Sequence, residues 1–408
     1  MNNSSLNSIV RIFLDKLNDQ EITSAPDILW NKFLKAGTTL WLDTGDIDGA
    51  KKLWNKNFTA LTTNNTLLNK EVQKGIYDEI ISEASDLFKD IEKGNRIKEI
   101  ALLLNALHGS RLARIFNAKV SVELHTDLAH DIEGIEYYGT RLFNVNPDHF
   151  IIKVPFTAEG LIGARILHDK GIPVNFTLMF SARQNVLAAL IAQPAYSNVF
   201  LGRIGAFLKN NNLGEPDFIG EKVTNNTQYH LNVLKKDNRS NTRLIAASIR
   251  NWKQLTHMEG IDVFTMPVTV ATDAKINLNN ITEIPFKTPG DIILNNITIT
   301  ETGLDKLWKV DDAILDIAER FNNKIPSSGQ ELIKFVTAKG LYDIFPDLND
   351  SEIKLIDSDG KIPVYNNWAS QISQNKTAID SLLNLAGLYA FKKDQAALDN
   401  RIKEKLTG

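Results

Sequence analysis

The chain is 408 residues long, enough for one large domain or two ordinary ones. At 43% hydrophobic and 23% charged it has the composition of a soluble globular protein, and its net charge of −3 argues against a nucleic-acid-binding surface as its main business. The lack of cysteine excludes disulfides, thiolate metal sites and a cysteine nucleophile, whereas a local pair of arginines would still suffice for a phosphorylated small molecule.

Near the N-terminus, Leu6, Ile9, Val10, Phe13, Leu14 and Leu17 fall at helical spacing. Arg11, Asp15 and Lys16 break that apolar run, so it does not read as a signal peptide. No apolar run is long enough to span a membrane, and the expected location is cytoplasmic. From about Thr38 to about Val268, short apolar segments alternate with helical ones. Strands are predicted at 38–43, 59–63, 119–124, 150–155, 173–178, 198–202, 243–248 and 263–268. Eight strands with intervening helices predict a (β/α)8 TIM-type barrel. After the fourth strand, Leu161, Ile162, Ile166 and Leu167 form one helical face, and Gly171 stands where a C-terminal glycine belongs. Between the second and third strands, Leu68, Val72, Ile76 and Ile80 recur every fourth residue, and a further helix covers 101–107. The polar stretch Lys209 to Asn241 predicts a loop with a short helix near the barrel mouth.

Beyond about Asp273 the pattern changes. The Asn/Thr/Ile-rich segment 277–303 reads as irregular or as short strands. From Leu304 the chain reads as helical, interrupted by Pro326, Pro346 and Pro363, and Ile379, Leu382, Leu383, Ala386, Tyr389, Ala390 and Leu398 trace an amphipathic final helix. The expected division is an N-terminal helical extension over 1–37, a catalytic barrel over 38–300, and a C-terminal helical extension over 301–408 packed on the barrel.

In such a barrel the functional residues come from the C-terminal ends of the strands. In chain order these ends carry Asp43; Thr62, Thr63 and Asn64; Glu123; Lys153; Asn175 and Thr177; Arg203; and Ser248 with Arg250. Each has a plainer reading: Asp46 as an N-cap in a turn after Asp43, a polar turn at Thr62–Asn65, a solvated carboxylate at Glu123, surface charges at Arg203 and Arg250. Lys153 stands out because it closes the apolar run FIIK. An amine held away from water loses its proton more readily, and a neutral amine can attack a carbonyl to form a Schiff base. Asn175 and Thr177 alternate to the same side of the next strand, beside it. Two carboxylates and a hydroxyl can move the protons such chemistry needs, and two arginines can clamp a phosphate.

The segments LDTGDI, LTTNNTL, IIKVPFTAEG, VNFTLMFS, FLGR and AASIRN, running from about Thr38 to Asn251, resemble the successive motifs of the transaldolase family, in that family's order. The final helix is more weakly similar to the helix that closes this family's site. The resemblance implies Schiff-base transfer of a dihydroxyacetone unit between sugar phosphates in the non-oxidative pentose phosphate pathway, with no metal and no organic cofactor. It implies Lys153 as the imine-forming nucleophile, Glu123 and Thr177 as holders of a catalytic water, and Asp43 as the base at the donor's C4 hydroxyl. It implies Thr62, Asn64, Asn175 and Phe200 around the substrate, and Arg203, Ser248 and Arg250 on its phosphate. Partners are sugar phosphates, with no nucleic acid and no membrane; the oligomeric state, a homodimer included, is open.

The chain departs from the family at several places. Asn65 stands where proline is usual, Phe156 and Ala158 where a small residue and a tryptophan are frequent, and Asn198 where serine is common. The segment between about Thr269 and Thr377 has no counterpart. Two rival readings follow: a lyase that cleaves fructose 6-phosphate to free dihydroxyacetone, and a non-catalytic sugar-phosphate-binding barrel. The lyases tend to carry glutamine at the position of Glu123 and tyrosine at that of Phe200, and a mere binder needs neither Lys153 nor the two acids.

Overall fold

The computed structural model describes residues 3–215, 217–286, 299–321 and 324–407. Eight parallel strands, β1 (Thr39–Asp43), β2 (Phe58–Thr62), β3 (Lys119–Glu123), β4 (Phe150–Pro155), β5 (Val174–Thr177), β6 (Tyr196–Phe200), β7 (Arg243–Ala247) and β8 (Val263–Met266), close into one barrel in sequence order. Helices alternate with them and extra helices flank both ends, so the fold is a TIM barrel. All eight predicted strands form. The reason is visible in β4, where Ile152 and Val154 are buried on the side opposite Lys153, so both faces of the strand leave water.

The N-terminal end of the barrel is plugged. Arg243 donates to Thr39 Oγ1 (2.7 Å) and to the Asp262 carbonyl (3.0 Å), and its guanidinium lies 5.7 Å from the Tyr196 ring. Tyr196 in turn meets Trp41 edge-on at 4.7 Å. These bulky groups close the floor, which leaves the C-terminal end as the side that opens.

The helix Ala158–Asp169 follows β4 as expected. Thr157 caps it by accepting from Gly160 N (2.8 Å), and Gly171 sits at φ +76°, a conformation that glycine adopts without steric cost. Two expectations need correction. Leu68, Val72, Ile76 and Ile80 do not share one helix. Gly75, at φ +81°, ends the helix Asn65–Gln73, the next begins at Asp78, and Ile76 between them is 44% exposed. The stretch after Lys209 is more ordered than its polarity suggests: the helix Ile219–Lys236 buries Val223, Leu231 and Leu234 together with polar residues that find partners inside, Thr224 and Thr227 donating to the carbonyls of Gly220 and Val223 (2.7 and 2.8 Å). Much of the Asn/Thr/Ile-rich segment, residues 287–298, lies outside the described residues.

The prolines of the C-terminal segment fall between helices. Pro326, Pro346 and Pro363 separate Asp312–Phe321, Gly329–Ala338, Asp350–Asp359 and Tyr365–Ser373, because a proline inside a helix loses a backbone bond and clashes with the preceding turn. The final helix, Ile379–Thr407, buries Ile379, Leu382, Leu383, Ala386 and Leu398 against the barrel. Each such leucine contributes roughly 1.5–3 kcal/mol of burial. Asn384 pins this helix to the ends of β4 and β5 by donating to the carbonyls of Phe156 (3.1 Å) and Leu178 (2.7 Å). Among the described residues, no helix is long and apolar enough to cross a membrane.

Candidate active site

The register of the parallel strands sets the centre of the site. Glu123 pairs with Lys153, and Lys153 with Asn175, so an acid, an amine and an amide stand side by side on β3, β4 and β5. Lys153 is only 4% exposed and its Nζ donates to the Thr63 carbonyl (3.1 Å). The amine is thus enclosed, as its place at the end of FIIK predicts. Asn175 donates to Ser121 Oγ (3.0 Å), while its own Oδ1 is buried without a partner among the described residues, as is Thr177 Oγ1. Buried polar atoms without partners are uncommon in folded proteins and mark places where a ligand or water belongs.

Asp43, at the end of β1, accepts from Thr62 Oγ1 (2.8 Å), and Thr62 Oγ1 also contacts Thr265 Oγ1 (2.8 Å). This chain runs across β1, β2 and β8 and holds the carboxylate at the cavity wall. Burial pushes the Asp43 carboxyl above the usual carboxylate range, with Lys153, Thr62 and Arg250 pulling the other way. Burial likewise pushes the Glu123 carboxyl up, against Lys153 and a backbone N–H from Asn65. Glu123 is therefore not a solvated strand-end charge; it is 3% exposed.

A cavity of about 680 Å³ opens at the C-terminal end of the barrel. Asp43, Thr62, Asn64, Lys153, Asn175, Phe200, Arg203, Ser248 and Arg250 all line it. Glu123 and Thr177 do not; both are buried, Glu123 level with Lys153 and Thr177 level with Pro155 in the strand register, and Glu123 borders a separate cavity of about 20 Å³. Asn64 has a structural duty as well, since its Oδ1 accepts from Leu67 N (2.8 Å) as the N-cap of Asn65–Gln73. Asp46 occupies the N-cap position of Ile47–Lys51 but makes no side-chain capping bond.

The far end of the cavity is cationic. Arg203 is 7% exposed, its guanidinium lies 5.3 Å from the Phe200 ring and 5.7 Å from Phe391, and its Nη1 has no hydrogen-bond partner among the described residues. Burial and then the neighbouring Arg250 lower its pKa to about 10. Two cations held together, one with an unused buried donor, form a site suited to an anion. Gly202 makes the approach feasible, because a Cβ there would stand 2.1 Å from the Ser248 carbonyl and 2.7 Å from Arg250 Cγ. Ser248 itself is at φ +62°. Gly387 of the final helix does the same from above, since its Cβ would meet Arg203 Nη1 at 2.9 Å.

Several contributors were not singled out from the sequence. Ser121 and Thr265 are polar residues at inward-alternating positions of apolar strands, a signal that could have found them. Lys361, Ile362 and Phe391 reach the cavity from the C-terminal segment, which no local pattern foretells.

Residues 40–303 match the family model described as Transaldolase/Fructose-6-phosphate aldolase. A transaldolase of Gibberella intermedia is 31% identical to the chain over 268 residues, covering 62% of this chain and 79% of its own. A transaldolase of Protochlamydia amoebophila is 29% identical over 247 residues, 57% of this chain and 73% of its own. A probable transaldolase of Dictyostelium discoideum is 28% identical over 294 residues, 68% and 88% respectively.

Proposed function

This chain belongs to the transaldolase/fructose-6-phosphate aldolase family, whose members act on sugar phosphates, and we propose that it is a transaldolase. It would move a dihydroxyacetone unit from a ketose phosphate, sedoheptulose 7-phosphate or fructose 6-phosphate, to glyceraldehyde 3-phosphate or erythrose 4-phosphate. The observation that carries this reading is that one cavity presents the enclosed amine of Lys153 beside Asp43 and, at its far end, the paired cations Arg203 and Arg250.

The proposed sequence of steps begins at the amine. Lys153 Nζ attacks the ketose C2 carbonyl, and loss of water from the carbinolamine gives the imine. Glu123 and Thr177, on the strands that flank Lys153, hold the departing water and relay the protons. Asp43 takes the proton from the C4 hydroxyl as the C3–C4 bond breaks, and the aldose phosphate leaves. The bonding electrons remain as an enamine on Lys153. Attack of its carbon on the acceptor aldehyde, with the proton returned from Asp43, reverses the sequence, and water hydrolyses the product imine. Asn64 and Asn175 hold the hydroxyls of the three-carbon unit, Thr62 steadies Asp43, and Arg203, Ser248 and Arg250 bind the phosphate.

The lyase reading keeps the imine but needs the enamine carbon protonated. The phenyl ring of Phe200 on the cavity wall offers no proton, which favours transfer. The decisive assay is transfer from fructose 6-phosphate to erythrose 4-phosphate with free dihydroxyacetone measured alongside, together with borohydride trapping. The expected results are transfer in excess of release and a three-carbon adduct on Lys153. An adduct on another lysine, or release without transfer, refutes the reading.

A further inference from the structure

We propose that the backbone N–H of Asn65 is the positioning donor that orients the Glu123 carboxylate and favours its ionised form; its importance for catalysis rests on the proton-carrying role of Glu123 proposed above. Asn65 is the first residue of the helix Asn65–Gln73, so its N–H has no carbonyl within the helix to reach. It donates instead to Glu123 Oε2 (3.1 Å). Among the described residues this is the one hydrogen bond made to that carboxylate. Both partners are buried, Asn65 at 1% exposed, so bulk water cannot replace the bond.

The surroundings hold the donor in place. Asn65 Nδ2 donates to the Leu124 carbonyl (3.2 Å), Asn105 donates to the carbonyl of Glu123 itself, and Asn64 caps the same helix. The start of the helix thus faces the end of β3, and the partial positive charge of that helix end adds to the effect. The other charged or titratable groups around the carboxylate come from different elements. Lys153, Asp43 and Arg203 lie toward the amine, and Lys98, Tyr138 and His125 border the small cavity on the other side, with His125 paired to Asp399 of the final helix. A change at position 65 alters none of them directly.

Two substitutions separate the backbone donor from the side chain. Asn65→Ala keeps the N–H and removes the amide. Asn65→Pro removes both, yet suits the position: proline is favoured at the first residue of a helix, and Asn64 already has the extended backbone (φ −157°, ψ 171°) that a residue before proline adopts. The Glu123 carboxyl is followed through pH by 13C NMR, assigned with Glu123→Gln, and compared with the pH profile of kcat/KM for transfer. Asn65→Pro is expected to move the carboxyl midpoint and the acidic limb upward by about one pH unit, while Asn65→Ala stays close to the parent. A midpoint unchanged in Asn65→Pro, or shifted equally in Asn65→Ala, overturns the proposal. A carboxyl that shifts as expected in a protein that transfers no three-carbon unit upholds the positioning bond and defeats the proposed function instead. A second measurement needs no proline. In Glu123→Ala the Asn65 amide is expected to exchange about tenfold faster relative to the Leu68 amide of the same helix, and an unchanged ratio also overturns the proposal.

Discussion

Arg203 and Arg183 are both buried arginines on helices that follow barrel strands, but they are treated in opposite ways. Arg203 faces the cavity with Nη1 unpartnered among the described residues and with a second arginine nearby. Arg183, at the seam with the C-terminal segment, gives Nε and Nη2 to Asp380 (2.8 and 2.7 Å) and Nη1 to Asp343 (3.1 Å). Lys306 adds a further bond to Asp343 (2.6 Å). Burial pushes the Asp380 carboxyl up, yet Arg183 outweighs it and the net direction is down. The seam saturates its hydrogen bonds, while the cavity leaves donor capacity unused, as the proposed anion site would need.

The sharpest way to break this contrast is to exchange the two consequences. Lys153→Met is expected to abolish turnover while leaving stability within about 1 kcal/mol, because the methionine fills nearly the same volume. Asp380→Asn is expected to do the reverse, losing about 3 kcal/mol because Arg183 keeps a buried charge that is only partly balanced. Steady-state assays and denaturant titrations of both variants check this. A Lys153→Met protein that unfolds, or an Asp380→Asn protein as stable as the parent, would erase the distinction.

Glu221 sharpens it from the cavity side. It lines the cavity, and burial raises its pKa to about 7 from an ordinary 4.5. The folded state therefore holds that proton more tightly than the unfolded chain. The associated stability is present below about 4.5 and is lost as pH rises through 7. Glu221→Gln is expected to match the parent at pH 4 and to exceed it at pH 8 by up to about 3 kcal/mol. Denaturation curves that differ equally at both pH values would show that ionisation is not the cause.

Arg203→Ala and Arg250→Ala are expected to weaken phosphorylated substrates roughly ten- to a hundredfold more than unphosphorylated ones. Equal losses for fructose 6-phosphate and free fructose would place the arginines outside the anion site. The smallest effect concerns Phe200. Phe200→Tyr is expected to raise dihydroxyacetone release relative to transfer by roughly tenfold, the scale of one new hydrogen bond to a water or to the enamine carbon's proton source. If both activities fall together with an unchanged ratio, Phe200 is only a packing residue.

Phe156 shows where reading by local pattern stops. As a letter it is a departure within a family motif; in the fold its ring stacks on Phe345 at 5.5 Å, so its partner lies in the C-terminal segment. Lys361 and Phe391 reach the cavity in the same way, from chain distant in sequence. Asn65 also reads as a departure, and only the meeting of its helix start with the end of β3 gives its N–H an acceptor.

The strands, the placement of polar residues at their C-terminal ends and the proline-bounded C-terminal helices were determined by the sequence itself. They depend on alternation, on backbone dihedral preferences and on the burial of contiguous apolar runs, all of which are local. Tertiary structure alone decided that Glu123 and Thr177 are buried off the cavity lining, that Arg203 is left with an unpaired donor among the described residues while Arg183 is saturated, and that Phe391 of the final helix joins the cavity wall. Those outcomes depend on inter-strand register and on contacts between residues far apart in the chain, and no single window of sequence contains both partners of such a contact.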